Sequence, residues 1–241
     1  MKIALVTGAS GGIGGHFTKK LLKKGWFVIA QSNLSENKMI HENILWINAD
    51  FSNENSLVSF INNVKKILNN RKINAIIHFA ALEIKTDSIT YKDSLLLSSI
   101  NLIAPFFISE KLYEKIQKNG NILFMSSICA ERATQDAEFY GATKAGVNSL
   151  VKGLALKYSK KKIRVNGIST GIVDTPRTKS VLQKNNFYSF VSKKNPFNKV
   201  ASPSDITKFI FLILSKKSNW LTGQIINVDG GSFLGYGEDL W

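Results

Sequence analysis

The stretch TGASGGIG, from Thr7 to Gly14, follows the apolar run KIALV directly and opens a helical pattern. Gly8, Gly12 and Gly14 give the spacing GxxxGxG. Without Cβ atoms there, the backbone can turn tightly and lie close against a pyrophosphate. The helix that follows would present free N–H groups and the positive end of its dipole to the same anion. A glycine-rich turn alone says little. One set between the first strand and first helix of a βαβ pattern predicts dinucleotide binding.

Working outward from that turn, short apolar runs at 3–6, 27–30, 44–47, 75–79, 121–125, 164–168 and 224–228 read as buried parallel strands. Helical patterns at 14–24, 54–68, 102–118, 139–158 and 204–215 alternate with them. The alternation predicts an α/β fold: a Rossmann-type, doubly wound parallel sheet of about seven strands with helices on both faces. No linker, repeat or low-complexity tract divides the 241 residues, so one domain is expected over 1–241. The least regular stretch, 174–199, is long for a plain connection and carries Leu182, Phe187, Tyr188, Phe190 and Val191. It is expected to be an irregular, mobile lid over the substrate, with static packing as the alternative.

Composition narrows the function classes. The chain is 44% hydrophobic and 20% charged, which is ordinary for a globular protein. Lys and Arg number 32 against 17 Asp and Glu, a formal charge of +15. The lysines are scattered and come with no zinc-ligand spacing, RNA motif or helix-turn-helix, so no nucleic-acid partner is expected. The excess could still favour anionic substrates or an acidic carrier. Cys129 is the only cysteine, so no intramolecular disulfide can form. The chain starts at once on an apolar strand, without the features of a signal peptide. The run 209–214 is far short of a membrane span. The expectation is a cytoplasmic protein with no membrane partner and no bound metal.

YGATK places Tyr140 and Lys144 four residues apart, on one face of a helix. A phenol ionises near pH ~10, and a neighbouring ammonium favours its ionised form. The tyrosine could then serve as acid or base near neutrality; the alternative is a surface pair. Ser127, just after the fifth strand, could orient a carbonyl and stabilise oxyanion character, although Ser126 fits a strand end equally well. An amide at Asn101 could hold a water in a proton relay, or simply cap the helix after it. Asp50 could accept from an adenine amino group or cap the helix that follows.

Taken together, these residues resemble the short-chain dehydrogenase/reductase family, and the resemblance spans essentially the whole chain. TGASGGIG resembles the cofactor loop, Asn101 the family asparagine, MSS the serine strand and YGATKAG the catalytic helix. IRVNGISTGIVDTP and LTGQIINVDGG resemble the stretches around the last two strands. The resemblance implies that Tyr140 donates or accepts the proton. Lys144 would bind the nicotinamide ribose and tune Tyr140. Ser127 rather than Ser126 would position substrate, and Asn101 would complete the relay. It places Gly171, Ile172 and Thr175 beside the nicotinamide, and Ser10, Ile13, Phe51, Ala80 and Ala81 among the other cofactor contacts. Two departures stand out. His78-Phe79-Ala80-Ala81 replaces the usual Asn-Asn-Ala-Gly, with altered local packing expected. Thr170-Gly171 replaces Pro-Gly.

The resemblance implies interconversion of a ketone and a secondary alcohol with a nicotinamide cofactor. Within the family the chain is most similar to 3-oxoacyl-acyl-carrier-protein reductases, whose substrates are carrier-bound. Lys118 and Lys161 fall where that group tends to have basic residues for an acidic carrier. A sugar or nucleotide-sugar reductase in surface glycan synthesis is the alternative, and a silent cofactor-binding regulator the alternative of another class. The resemblance also implies a homotetramer or homodimer paired through the helices at 102–118 and 139–158. An NAD site places an acid about 20 residues past the glycine loop, to read the ribose 2′-OH. Here Ser32 takes that position and Asn33 follows. With no carboxylate to repel a 2′-phosphate, and with Lys38 nearby in sequence, NADP(H) is favoured over NAD(H).

Overall fold

The computed structural model describes residues 1–33, 39–86, 88–183, 186–193 and 195–234. Lys38 therefore lies outside the described residues, as do 184, 185 and 194 within the expected lid.

The sequence alternates as the composition of its strands demands. In β1 (Ile3–Thr7), Ile3 and Leu5 enter one apolar cluster while Ala4 and Val6 enter another on the opposite face. A strand buried on both sides needs apolar residues at every position, which is why such runs are continuous rather than alternating. β2 (Phe27–Ser32), β3 (Ile44–Asn48), β4 (Ile73–His78), β5 (Ile116–Ser127), β6 (Arg164–Thr170) and β7 (Ile225–Val228) complete a seven-stranded sheet. The order is β3-β2-β1-β4-β5-β6-β7, and every pair is parallel.

Helices cover both faces. α1 (Gly12–Lys23) and α8 (Pro203–Leu214) pack together on one, around Phe17, Leu21, Ile206 and Ile210. α2 (Glu54–Leu68), α4 (Ala104–Lys111) and α5 (Glu138–Lys157) cover the other, around Phe60, Ile108, Val147 and Val151. Each fully buried side chain of this size contributes roughly 1.5–3 kcal/mol. α8 starts on a capping box in which Ser202 and Asp205 satisfy each other's backbone N–H groups.

The helix expected at 102–118 differs. α3 (Tyr91–Ser98) starts on a Thr90 capping box and runs through a π-helical turn, Ser99–Ile103, into α4, which ends at Lys111. Residues from Ile116 onward belong to β5. Asn101 thus sits inside a helical turn, buried, and is not an N-cap. The stretch 174–199 is not irregular either. It holds α6 (Pro176–Leu182), capped by Thr175, and α7 (Phe187–Lys193). Among the described residues no helix is long and apolar enough to cross a membrane, and no group of three or more His, Cys, Asp or Glu is placed to hold a metal ion.

The strand order reverses between β1 and β4, the neighbours whose connections run to opposite sides of the sheet. In open α/β sheets the crevice at that switch point, beyond the carboxyl ends of the strands, is where ligands bind.

Candidate active site

At the switch point a cleft runs between the glycine-rich turn after β1 and the segment after β4. Gly8 has φ +62, and a Cβ there would lie 2.6 Å from Ala80 N, so the turn must be glycine to sit against this wall. A Cβ on Gly12 would lie 2.5 Å from Cβ of Thr175, closing the cleft toward α6. α1 starts at Gly11 with no side-chain cap and no acidic residue in its first turn. Its N–H groups and dipole are therefore left to an anion. These features fit a dinucleotide pyrophosphate.

Most of the expected cofactor contacts line this cleft. Gly8, Ser10, Gly12, Ile13 and Gly14 form one side; Asn33, Asp50 and Phe51 one end; Ala80 and Ala81 the opposite wall. Tyr140, Lys144 and Thr175 line its other end. Asp50 is not the cap of α2; that is Asn53, whose side chain accepts from Ser56 N at 2.9 Å. Asp50 instead closes a turn, with Oδ1 accepting from the Ser52 N–H and hydroxyl. Phe51 is buried edge-on against Phe60.

Ser32 does not line the cleft as expected. Strand alternation turns it inward, where it is 1% exposed and its Oγ lies 2.8 Å from Ser10 Oγ beneath the glycine turn. Asn33 is exposed and lines the cleft. Gln31 had no role in the sequence reading. Its buried side chain accepts the Gly8 N–H at 2.8 Å and donates to the Ala49 carbonyl at 2.7 Å, tying the glycine turn to the end of β3. A polar residue inside the apolar run FVIAQS was the available signal.

A second pocket adjoins the cleft, and Tyr140, Thr170, Thr175 and Arg177 line both. Gly171 and Ile172 face this pocket rather than the cleft. Ser126 and Ser127 end β5 and point opposite ways. Ser126 donates to Asn148 Oδ1 at 2.6 Å, whereas Ser127 faces the second pocket with Tyr140 and caps a short 3-10 turn by accepting the Cys129 N–H. Alternation thus sends Ser126 to the cleft lining and Ser127 to the second pocket.

Tyr140 and Lys144 are both buried on α5, not a surface pair. Lys144 Nζ donates to the Met125 carbonyl at 2.8 Å and lies 5.6 Å from the centroid of the Tyr140 ring. The expected lowering of the phenol by Lys144 is not found. Burial pushes the phenol up, with the Glu83 carboxylate adding to it. The opposing pulls come from Arg177 and the Ser127 hydroxyl. Burial also brings Lys144 down to about 8, and Arg177 acts in the same direction.

Asn101 sits between the segment after β4 and α5. Its Oδ1 accepts from Leu82 N, and both amide hydrogens are used: Nδ2 donates to the Leu82 carbonyl at 2.8 Å and to Thr143 Oγ1 at 3.1 Å. The amide holds these protein groups in place. Arg177, unnoticed in sequence, reaches from α6 to donate to the Ala81 carbonyl at 3.2 Å. Nothing in its local sequence marks it, because its partner lies 96 residues away.

A family model described as enoyl-(acyl carrier protein) reductase matches residues 8–232. The chain is 27% identical to the 3-oxoacyl-(acyl-carrier-protein) reductase FabG of Buchnera aphidicola subsp. Baizongia pistaciae, over 97% of this chain and 98% of that protein. Among solved structures it is similar to a short chain dehydrogenase family protein from Francisella tularensis subsp. tularensis SCHU S4, at 28% identity and a TM-score of 0.89, covering 97% and 99% of the two chains. It is also similar to 4-hydroxyisoleucine dehydrogenase complexed with NADH, at 25% identity and a TM-score of 0.90, covering 98% of this chain and 100% of that one.

Proposed function

Because the chain belongs to the short-chain dehydrogenase/reductase family and is an oxidoreductase of that type, we propose that it reduces a ketone to a secondary alcohol with NADPH, the substrate being a 3-oxoacyl thioester on an acyl carrier. The observation that supports this reading best is that Ser127 and Tyr140 line one pocket, which opens on the cleft floored by Lys144.

A carbonyl oxygen set between those two hydroxyls would accept from both. Ser127 orients it; Tyr140 hands its proton to the oxygen as negative charge develops there. Burial holds the phenol protonated, so it enters the reaction as an acid, which suits reduction. When bound, the nicotinamide supplies the hydride. Lys144 would hold the ribose hydroxyls from the cleft floor, while Gly171, Ile172 and Thr175 would lie beside the nicotinamide. α6 and α7 cover the pocket and exclude water, with Leu182 as their buried anchor.

NADPH is preferred because the residue at the ribose end of the cleft, Asn33, is neutral and able to donate. The protein works as a homotetramer or homodimer. On α5, Val147, Val151 and Leu154 are buried in this chain's own core. Leu156, 79% exposed, and Ile103, 50% exposed, remain for a partner. The decisive experiment is NADPH oxidation with acetoacetyl thioesters and a panel of neutral ketones. Turnover of the thioesters supports the reading. Tight cofactor binding without turnover of any carbonyl would assign the chain to a cofactor-binding regulator instead.

A further inference from the structure

Charge gathers at one end of the substrate pocket. Glu83 and Lys85, on the extended segment after β4, pair at 3.4 Å. Arg177 comes from the first turn of α6 and donates to the Ala81 carbonyl on that same segment. All three line the pocket shared with Ser127 and Tyr140. Much of the remaining lining is apolar, with Ile172, Val181, Leu182 and Phe187 among it.

Lys85 answers the Glu83 carboxylate, while Arg177 makes no ion pair among the described residues. Its charge acts on both Tyr140 and Lys144, and on Lys144 it is the repulsion of one cation by another. A neutral acceptor, the Ala81 carbonyl, uses one arm of a planar fork that matches an oxyanion with two parallel bonds. An anion seated there would engage the fork and relieve the repulsion on Lys144.

Resting on the oxidoreductase reading above, we propose that Arg177 is a specificity-determining residue of the substrate pocket. The carbonyl compounds taken here carry an oxyanion group within reach of its guanidinium, and an apolar remainder along α6 and α7. The oxyanion is the carboxylate of a free oxo acid or the phosphate of a carrier-derived thioester arm. Both share the chemistry that the fork recognises.

The test measures binding, so that it stands apart from turnover. In the Tyr140→Phe protein saturated with NADPH, dissociation constants are read from quenching of the cofactor's fluorescence. One pair of probes is a series of 3-oxo acids against their methyl esters. The other is acetoacetyl-4′-phosphopantetheine against acetoacetyl-pantetheine. At least one anionic probe should bind roughly tenfold tighter than its neutral partner, and Arg177→Gln should remove that advantage. The pair that shows it identifies the source of the charge. No advantage in either pair, or an advantage that survives Arg177→Gln, overturns the proposal. So does a roughly tenfold weaker hold on NADPH in Arg177→Gln with the charge preference intact, since the guanidinium would then serve the cofactor's pyrophosphate. Turnover of these probes by the protein with Tyr140 in place tests the oxidoreductase reading separately.

Discussion

Asn101 grips Leu82 by both ends of its side-chain amide, accepting the Leu82 N–H and donating to the Leu82 carbonyl, each at 2.8 Å. The second amide hydrogen goes to Thr143, whose hydroxyl donates to the Tyr140 carbonyl at 2.7 Å. One buried side chain therefore ties the wall after β4 to the helix that carries Tyr140 and Lys144. Asn101→Leu should destabilise the fold by about 2–4 kcal/mol, because it leaves buried backbone groups unpaired. Asn101→Asp should be no milder, since its carboxylate would face the Leu82 carbonyl. Urea unfolding measures both. A loss under ~0.5 kcal/mol in Asn101→Leu would show that solvent or neighbours satisfy Leu82 without the clamp.

Tyr140→Phe removes the phenolic oxygen and little else. Turnover should fall at least ~100-fold while the dissociation constant for cofactor moves less than threefold. Ser127→Ala should lower kcat by a smaller factor, about 10- to 100-fold, by taking one donor from the carbonyl oxygen. Ser126→Ala serves as the comparison, because Ser126 bonds Asn148 away from the pocket. Steady-state kinetics on the three variants decides the assignment. Equal losses in Ser126→Ala and Ser127→Ala would mean that the strand end matters and the Ser127 hydroxyl does not.

The sheet was legible in the sequence because a strand buried on both faces is largely apolar, and Ile3–Val6 in β1 and Ala75–Ile77 in β4 follow that rule. The glycine turn and the pair Tyr140 and Lys144 were legible because their spacing is local. Contacts made by chain segments far apart were not. The π-helical turn that buries Asn101 depends on Leu82 and Thr143. The partner that Ser32 finds beneath the glycine turn, Ser10, lies 22 residues away. Arg177 and Gln31 acquire their places only when α6 meets the segment after β4 and when β2 meets β3. The helical content of 176–193 was hidden by short segments whose apolar residues follow no long period.

The inward turn of Ser32 changes the test of cofactor choice. Ser32→Asp would bury a carboxylate under the glycine turn, and should damage folding rather than report on the ribose. Asn33→Asp puts the carboxylate at the exposed cleft position. It should weaken NADPH by repelling the 2′-phosphate and leave NADH equal or tighter, moving the ratio of affinities at least ~10-fold toward NADH. Fluorescence titration of both cofactors against both proteins reads this ratio. An unchanged ratio would place the reading of the 2′ group on a residue other than Asn33.

His78 stands where the family usually has an asparagine, and its ring is packed under the sheet end against Phe124 at 4.8 Å. Ser109 donates its hydroxyl hydrogen to the Pro105 carbonyl at 2.8 Å. Its oxygen is then the acceptor for His78 Nε2 at 3.0 Å, which fixes the proton on Nε2. Nδ1 is buried with no partner. Burial accordingly lowers the ring's pKa from 6.5 to about 3. The unfolded chain takes up the proton first, so the stability that this neutral ring contributes is complete above about pH 6.5 and drains away as pH falls toward 3. At ~1.4 kcal/mol per pH unit the loss is on the order of 4 kcal/mol across that window. His78→Phe cannot bind the proton in either state. It should therefore lose less stability than the parent as the pH falls, because the other acid-titrating groups are common to both. The measurement is the difference in unfolding free energy between the two proteins from pH 7 to pH 4. That difference should move steadily in favour of His78→Phe as the pH drops. A difference that stayed flat would mean that His78 meets solvent or a proton acceptor in the folded chain and titrates there as freely as it does unfolded.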